Sequence, residues 1–258
     1  MKQTLLKIIP ILLATIVNFS CSKNSKGDDD DYKCVSCASE PIAVSANNAI
    51  NKGIYKGVII GSTGSLIFNI QNTANTITGI MVIDGNVVNL TCDDELNLGA
   101  DFEGTFTGTL NGSPVTIDFH VTDAGTNPTI TSATIPGHPD AVFIVAKETS
   151  DALLECYEGS YSITGDWAEQ GTYNLLIARK NGQGKWSGIS AENGFPEDAS
   201  YGEGLMSGNN VVDRNRGGNG VDVVIATING HTISGNFVDI DIDNDEKATV
   251  DVKGKRTL

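Results

Sequence analysis

Histidine is scarce in this chain. His120, His138 and His231 are the only three in 258 residues, and none stands at an H-x-x-x-H or H-E-x-x-H spacing. Such spacings put two imidazoles on one helix face for a metal, so that route to metal chemistry is closed. There is no G-x-S-x-G elbow, no P-loop and no G-x-G-x-x-G after a strand, which removes the common signatures of serine hydrolysis and of nucleotide binding. His138 lies in the turn Pro136-Gly137-His138-Pro139-Asp140, which reads as a rigid Pro-Gly loop. Lys and Arg number 17 against 32 Asp and Glu. A basic footprint for nucleic acid is therefore missing, as is one for anionic headgroups. Long apolar runs are missing too: nothing reaches the roughly 20 residues a membrane-spanning helix needs.

The longest apolar stretch is Ile8 to Val17, ten residues behind the positive Lys2 and Lys7. Its length fits the h-region of a secretory leader. Asn18-Phe19-Ser20-Cys21 follows, with the small Ser20 immediately before Cys21. Cys21 is thus the expected lipid acceptor of a lipoprotein, with residues 1–20 its signal peptide; an ordinary leader with an incidental cysteine is the alternative. Lys26-Gly27 and then Asp28 to Asp31 form a charged stretch that buries nothing, so 21–50 reads as a solvated tether. A cysteine, a Ser/Lys/Asn segment and an acidic cluster in this order resemble the start of surface-exposed lipoproteins of Bacteroidota. The resemblance covers about the first thirty residues. It implies anchoring in the cell outer membrane through the lipid, with display on its extracellular face; a plain acidic linker is the alternative.

Net charge is −15, and removing Lys2 and Lys7 with the leader makes it −17. Such acidity serves solubility and mutual repulsion at a crowded surface.

Beyond residue 50 alternating strands and turn signals replace any helical period. Asp84-Gly85, Asn111-Gly112, Asn181-Gly182, Asn193-Gly194, Asn219-Gly220 and Asn229-Gly230 are hairpin dipeptides, because type I′ turns need positive φ at both central residues. Strands are expected at 53–60, 65–70, 76–83, 86–92, 102–110, 115–121, 129–135 and 141–147. The pattern then restarts about 105 residues on. Ser65–Ile70 matches Gly171–Leu176, Thr76–Ile80 matches Lys185–Ile189, Ile130–Ile135 parallels His231–Phe237, and Ala141–Lys147 parallels Ala248–Lys253. The fold class is therefore all-β: two tandem, related antiparallel meander domains, each a small barrel or sandwich, at 51–150 and 151–258. Gly-x-Tyr starts and Thr/Ser-Gly hairpins make the halves loosely similar to calycin or avidin-type barrels and to other meander sandwiches. Tyr55, Tyr161 and Trp186 read as core or barrel-lining residues.

Cys34, Cys37, Cys92 and Cys156 are an even set in an exported chain, so all four are disulfide candidates. A local Cys34–Cys37 loop competes with bonds from either to Cys92 or Cys156. Cys34-Val35-Ser36-Cys37 is also a C-x-x-C, but a redox role needs a βαβ context, and zinc usually needs a second close ligand pair. Asp239, Asp241 and Asp243 alternate along one strand, which aligns their carboxylates on a single face. Calcium is the cation such oxygens would take; a charged strand edge that discourages aggregation is the alternative. No other cofactor is expected.

The expectation is thus a non-enzymatic envelope lipoprotein that binds an unknown protein or glycan. A lipocalin-like carrier of a small apolar molecule, or a glycan-acting hydrolase using paired carboxylates, are the alternatives.

Overall fold

The computed structural model describes residues 32–60, 64–180, 183–214, 221–241 and 246–258. Two eight-stranded antiparallel meanders follow one another. The first comprises β1 (Gly53–Ile60), β2 (Gly64–Ile70), β3 (Ile77–Ile83), β4 (Asn86–Thr91), β5 (Phe102–Leu110), β6 (Ser113–Val121), β7 (Thr129–Thr134) and β8 (Val142–Glu148). The second comprises β9 (Leu153–Gly165), β10 (Glu169–Lys180), β11 (Gln183–Glu192), β12 (Ser200–Ser207), β13 (Asn210–Asp213), β14 (Val223–Asn229), β15 (Thr232–Asp241) and β16 (Glu246–Arg256). The block pairs that match in sequence fall on topologically equivalent strands: β2 with β10, β3 with β11, β7 with β15, and β8 with β16.

Local sequence accounts for these elements. In β5, Phe102, Gly104 and Phe106 are buried while Glu103, Thr105 and Thr107 are exposed, the period of two that a half-buried strand requires. Asp84 and Gly85 have φ of 48° and 73°, and Asn111 and Gly112 have 51° and 84°, as the type I′ reading demands. At Asn193-Gly194 and Asn229-Gly230 only the glycine has positive φ. Asn181-Gly182 and Asn219-Gly220 lie outside the described residues.

The two halves close differently. In the second, β16 pairs with both β15 and β9, giving a closed barrel. In the first, the order runs β7-β6-β5-β4-β3-β2-β1-β8, and β7 and β8 do not pair. β7 also carries a register shift opposite Asp118 and Phe119.

β1 explains how the barrels stand together. All eight of its residues are buried, because both its faces are covered. Tyr55 and Ile59 point into the first barrel. Val58 packs with Leu154, Cys156 and Leu176 of the second, and Ile60 with Ile189 and Ala191. Each such aliphatic side chain contributes about 1.5–3 kcal/mol by leaving water. The halves are one body joined along strand faces.

The lead-in runs beneath the same end of both barrels. Tyr32 donates its hydroxyl proton to Arg256 O (2.8 Å), and Cys34 N–H donates to His231 Nδ1 (2.7 Å). Farther along, Ile42 N–H donates to Glu148 Oε1 (2.8 Å) and Val44 N–H to Asn72 Oδ1 (3.0 Å). The turns 84–85, 111–112 and 135–141 of the first barrel, with 165–169 and 193–199 of the second, sit at the opposite end.

Candidate functional site

Neither barrel interior is built as an open vessel. The first is filled by aromatic rings: Phe68 stacks on Phe106 at 4.0 Å between centroids, and Phe119 lies 5.0 Å from Phe68 and 5.2 Å from Tyr55. Lys147 plugs its base, with Nζ donating to Asn47 O (2.6 Å) and to Ile50 O, 5.6 Å above the Tyr55 ring. Burial lowers the pKa of Lys147 to about 8. In the second barrel Tyr157, Tyr173, Leu175, Ile177, Trp186 and Met206 form the core. Glycines opposite the rings make room for them: a Cβ on Gly159 would lie 2.7 Å from the Tyr173 hydroxyl, and one on Gly204 2.6 Å from Trp186 Nε1. Tyr55 and Trp186 are therefore core residues, and Tyr161 is a half-buried one packed against that core, its hydroxyl bonded to Glu169. A filled core of this kind counts against a lipocalin-like carrier.

At the base of the second barrel Glu155 lies between two arginines, 2.5 Å from Arg179 Nε and 3.0 Å from Arg256 Nη1. Between the barrels, Lys56 Nζ meets Glu148 Oε2 at 2.5 Å, both side chains buried. The same lysine donates to Leu154 O (3.1 Å), Leu154 N–H returns a bond to Glu148 (3.1 Å), and Asn174 Nδ2 donates to Ile59 O (2.5 Å). This polar seam fixes the register of one barrel against the other.

The cysteine expectation needs correction. Cys34 and Cys37 form the local disulfide, with Cα atoms 5.4 Å apart. Cys92 and Cys156 are free thiols, each buried in a different apolar setting. Cys92 belongs to the core of the first barrel, whereas Cys156 faces outward from β9 into the inter-barrel contact, its Sγ 3.7 Å from Gly57 O. Burial pushes these thiols up to about 11 for Cys92, whose Sγ also lies 3.4 Å from Asp94 Oδ2, and to about 12 for Cys156, which favours the protonated form of both.

Asp239 and Asp241 stand at alternate positions of β15, opposite Ala248 and Glu246. Asp239 Oδ1 accepts the Ile240 N–H at 3.1 Å. Asp243, the third proposed calcium ligand, lies outside the described residues, as do Cys21 and the run Asp28–Asp31. Among the described residues no three His, Cys, Asp or Glu are grouped to hold a metal. The histidines are dispersed: His120 sits 3.4 Å from Asp101, His138 Nε2 3.1 Å from Asp84 Oδ2 at a neighbouring turn, and His231 receives Cys34.

What sequence reasoning missed is the flank of β8. Along the seam with β7, Ile130, Ala133, Phe143 and Val145 pack on the first core but remain half-exposed. On its other face, beside Ala146, an open groove of about 580 Å³ runs over β10–β12 of the second barrel. Leu154, Leu176, Ala178 and Leu205 line it, with Lys185, Arg214 and Glu203 at its sides. The one visible signal was the pair Pro136 and Pro139 before β8. Neither has an N–H to extend a hairpin ladder.

The fold and these surfaces define a class: two eight-stranded antiparallel meanders packed side by side, one a closed barrel and the other unpaired between β7 and β8, with filled interiors. No protein-family model matches the chain, and no curated protein sequence matches it. A solved structure of MucB in complex with MucA(peri) aligns over 83% of this chain and 92% of that one at 10% identity. Its TM-score is 0.17, too low to carry an argument. No described helix is long and apolar enough to cross a membrane.

Proposed function

We propose that this chain is a lipoprotein of the bacterial cell envelope, anchored in the outer membrane through a lipid on Cys21 and displayed on the extracellular face. It acts by binding a protein or glycan and performs no catalysis. The observation that carries the binding reading is the filling of both barrels by their own side chains, which leaves recognition to outer surfaces and loops. The lead-in beneath one common end supports the anchored arrangement: a lipid at Cys21 leaves the opposite loops pointing away from the membrane.

The test exposes intact cells to added protease, with wild type set beside a variant whose Asp28, Asp29, Asp30 and Asp31 are all alanine. Cleavage of the wild type and protection of the variant is the expected outcome. Protection of both, with cleavage after lysis, sinks surface display. A Cys21→Ala chain that still partitions with membranes would sink the lipid anchor.

A further inference from the structure

We propose that the unpaired edge of β8 and the groove beside it form a strand-addition site for an extended segment of a partner protein. The inference rests on the binding reading above and names its surface and ligand class.

Three observations converge on one strand. First, β8 is bonded to β1 through a continuous seven-residue register and, among the described residues, is paired with no strand on its other side, where β7 approaches without joining the ladder. A row of unpaired backbone N–H and C=O groups is complementary to another extended backbone, whose main-chain bonds supply affinity. β7, across the seam, is the poorer template, because its register shift breaks the regular spacing of its backbone groups.

Second, both faces of the added strand would meet apolar surface. Successive side chains of a strand point to opposite faces. One set would cover Ile130, Phe143 and Val145, the half-exposed margin of the first core. The other set would enter the groove over Ala146, Ala178 and Leu205. The occupant is therefore a segment apolar on both faces for several residues, unlike an ordinary surface strand with one wet face.

Third, the groove is flanked by two cations, Lys185 and Arg214, and by one carboxylate, Glu203. In a chain with 32 acidic and 17 basic residues this is a local reversal of charge. It fits a carboxylate at one end of the apolar segment. The partner is thus an extended, β-branched-rich peptide segment bordered by Asp or Glu.

The probe is a displayed library of random ten-residue peptides, selected on the whole protein and followed by synthesis of the enriched sequences. The expected selection is rich in Val, Ile and Phe with a flanking acid. Bound peptide should slow hydrogen exchange at amides of Val142–Glu148. Leu205→Glu places a charge in the groove from a half-exposed position, so the fold should survive, and it should weaken binding by about tenfold or more. Charge reversal at Lys185 should weaken binding of the acid-flanked peptides specifically.

Peptides that bind but protect the turns 165–169 or 193–199 would overturn the site while keeping the binding reading. Absence of any enriched peptide, alongside a ligand found by glycan array, would overturn the peptide class. A concentration-dependent dimer that Leu205→Glu abolishes would assign the edge to a second copy of the chain and overturn the partner-strand assignment.

Discussion

Removing Lys56 should damage this protein far more than removing an ordinary lysine, and the sign of a second substitution shows why. Lys56 and Glu148 meet at 2.5 Å with side chains 3% and 0% exposed. Lys56→Met leaves Glu148 as a buried charge with only the backbone N–H groups of Ile42 and Leu154 as donors. Stranding one member of a buried ion pair costs about 3–5 kcal/mol. The two remaining N–H bonds hold this case near about 3 kcal/mol, still a large part of a total stability on the order of 5–15 kcal/mol. In the wild type, Glu148→Gln should also destabilise, since it strands Lys56 in turn. In the Lys56→Met background the same Glu148→Gln change should restore stability, because it removes the uncompensated charge. Urea denaturation followed by tryptophan emission and by far-ultraviolet dichroism measures all four proteins. Trp167 and Trp186 both belong to the second barrel, so the two signals should coincide if the barrels unfold as one body. A loss below about 1 kcal/mol for Lys56→Met refutes the reasoning, as does a further loss when Glu148→Gln is added to it.

Other predictions bear on the interiors. Gly204→Ala would set a Cβ 2.3 Å from Val212 O and 2.6 Å from Trp186 Nε1; it should cost about 1–3 kcal/mol by overpacking and shift tryptophan emission to the red, and an unchanged melt would count against the filled barrel. A maleimide should leave Cys92 and Cys156 unmodified in the native protein lacking Cys21 and label two thiols per chain in guanidinium; fast native labelling of either contradicts their burial. The thiols are raised from 9.0 to about 11 and about 12, so the unfolded chain loses these protons first, and their contribution to stability should fall as pH rises from 9. Lys147 has the opposite sign. Its folded pKa is lowered from 10.5 to about 8, so the unfolded state binds more protons between those values and stability from this group rises with pH there. Subtracting the pH profile of Lys147→Met from that of wild type should reveal this positive slope between pH 8 and 10.5; a flat difference would show that the plug is not desolvated.

The strands were legible because each buries one face, and period-two alternation records that directly, as in Phe102-Glu103-Gly104-Thr105-Phe106. The glycines of the sharp turns were legible for the same local reason. The relation between the barrels was not. β1 reads Gly53-Ile54-Tyr55-Lys56-Gly57-Val58-Ile59-Ile60, an almost continuous apolar run that marks a strand covered on both faces. Its lysine looks like a solvent-facing break until Glu148, 92 residues away, is placed beside it. The cysteine expectation failed on Cys92 and Cys156 because an even count says nothing about direction. One side chain faces a core and the other a contact between domains, and only the completed fold separates them. Asp239 and Asp241 alternate along β15, while Asp243, the third expected calcium ligand, lies outside the described residues.

The difference between the two halves follows from how each joins its last two strands. In the second barrel β15 and β16 pair from Thr232–Lys255 to Asp241–Glu246, a register of ten pairs that brings β16 round to β9 and leaves no edge. In the first, the connection from β7 to β8 contains Pro136 and Pro139, which have no N–H, and β7 holds only six residues with a register break opposite Asp118. His138 within this connection reaches Asp84 at a neighbouring turn, which draws the loop across the end of the barrel and away from a tight hairpin. The same topology thus ends in a sealed cylinder in one case and in an open seam in the other. An exposed strand edge is an aggregation hazard unless it is covered, blunted or used. β7 is blunted by its irregular register and its Thr and Ser residues. β8 has neither protection: it is Val142-Phe143-Ile144-Val145-Ala146-Lys147-Glu148, regular and apolar over its first five residues, on an otherwise strongly acidic molecule. Retaining so adhesive an edge beside an apolar groove is physically costly for a protein that only fills space, and is accounted for when the edge is what the protein offers to its partner.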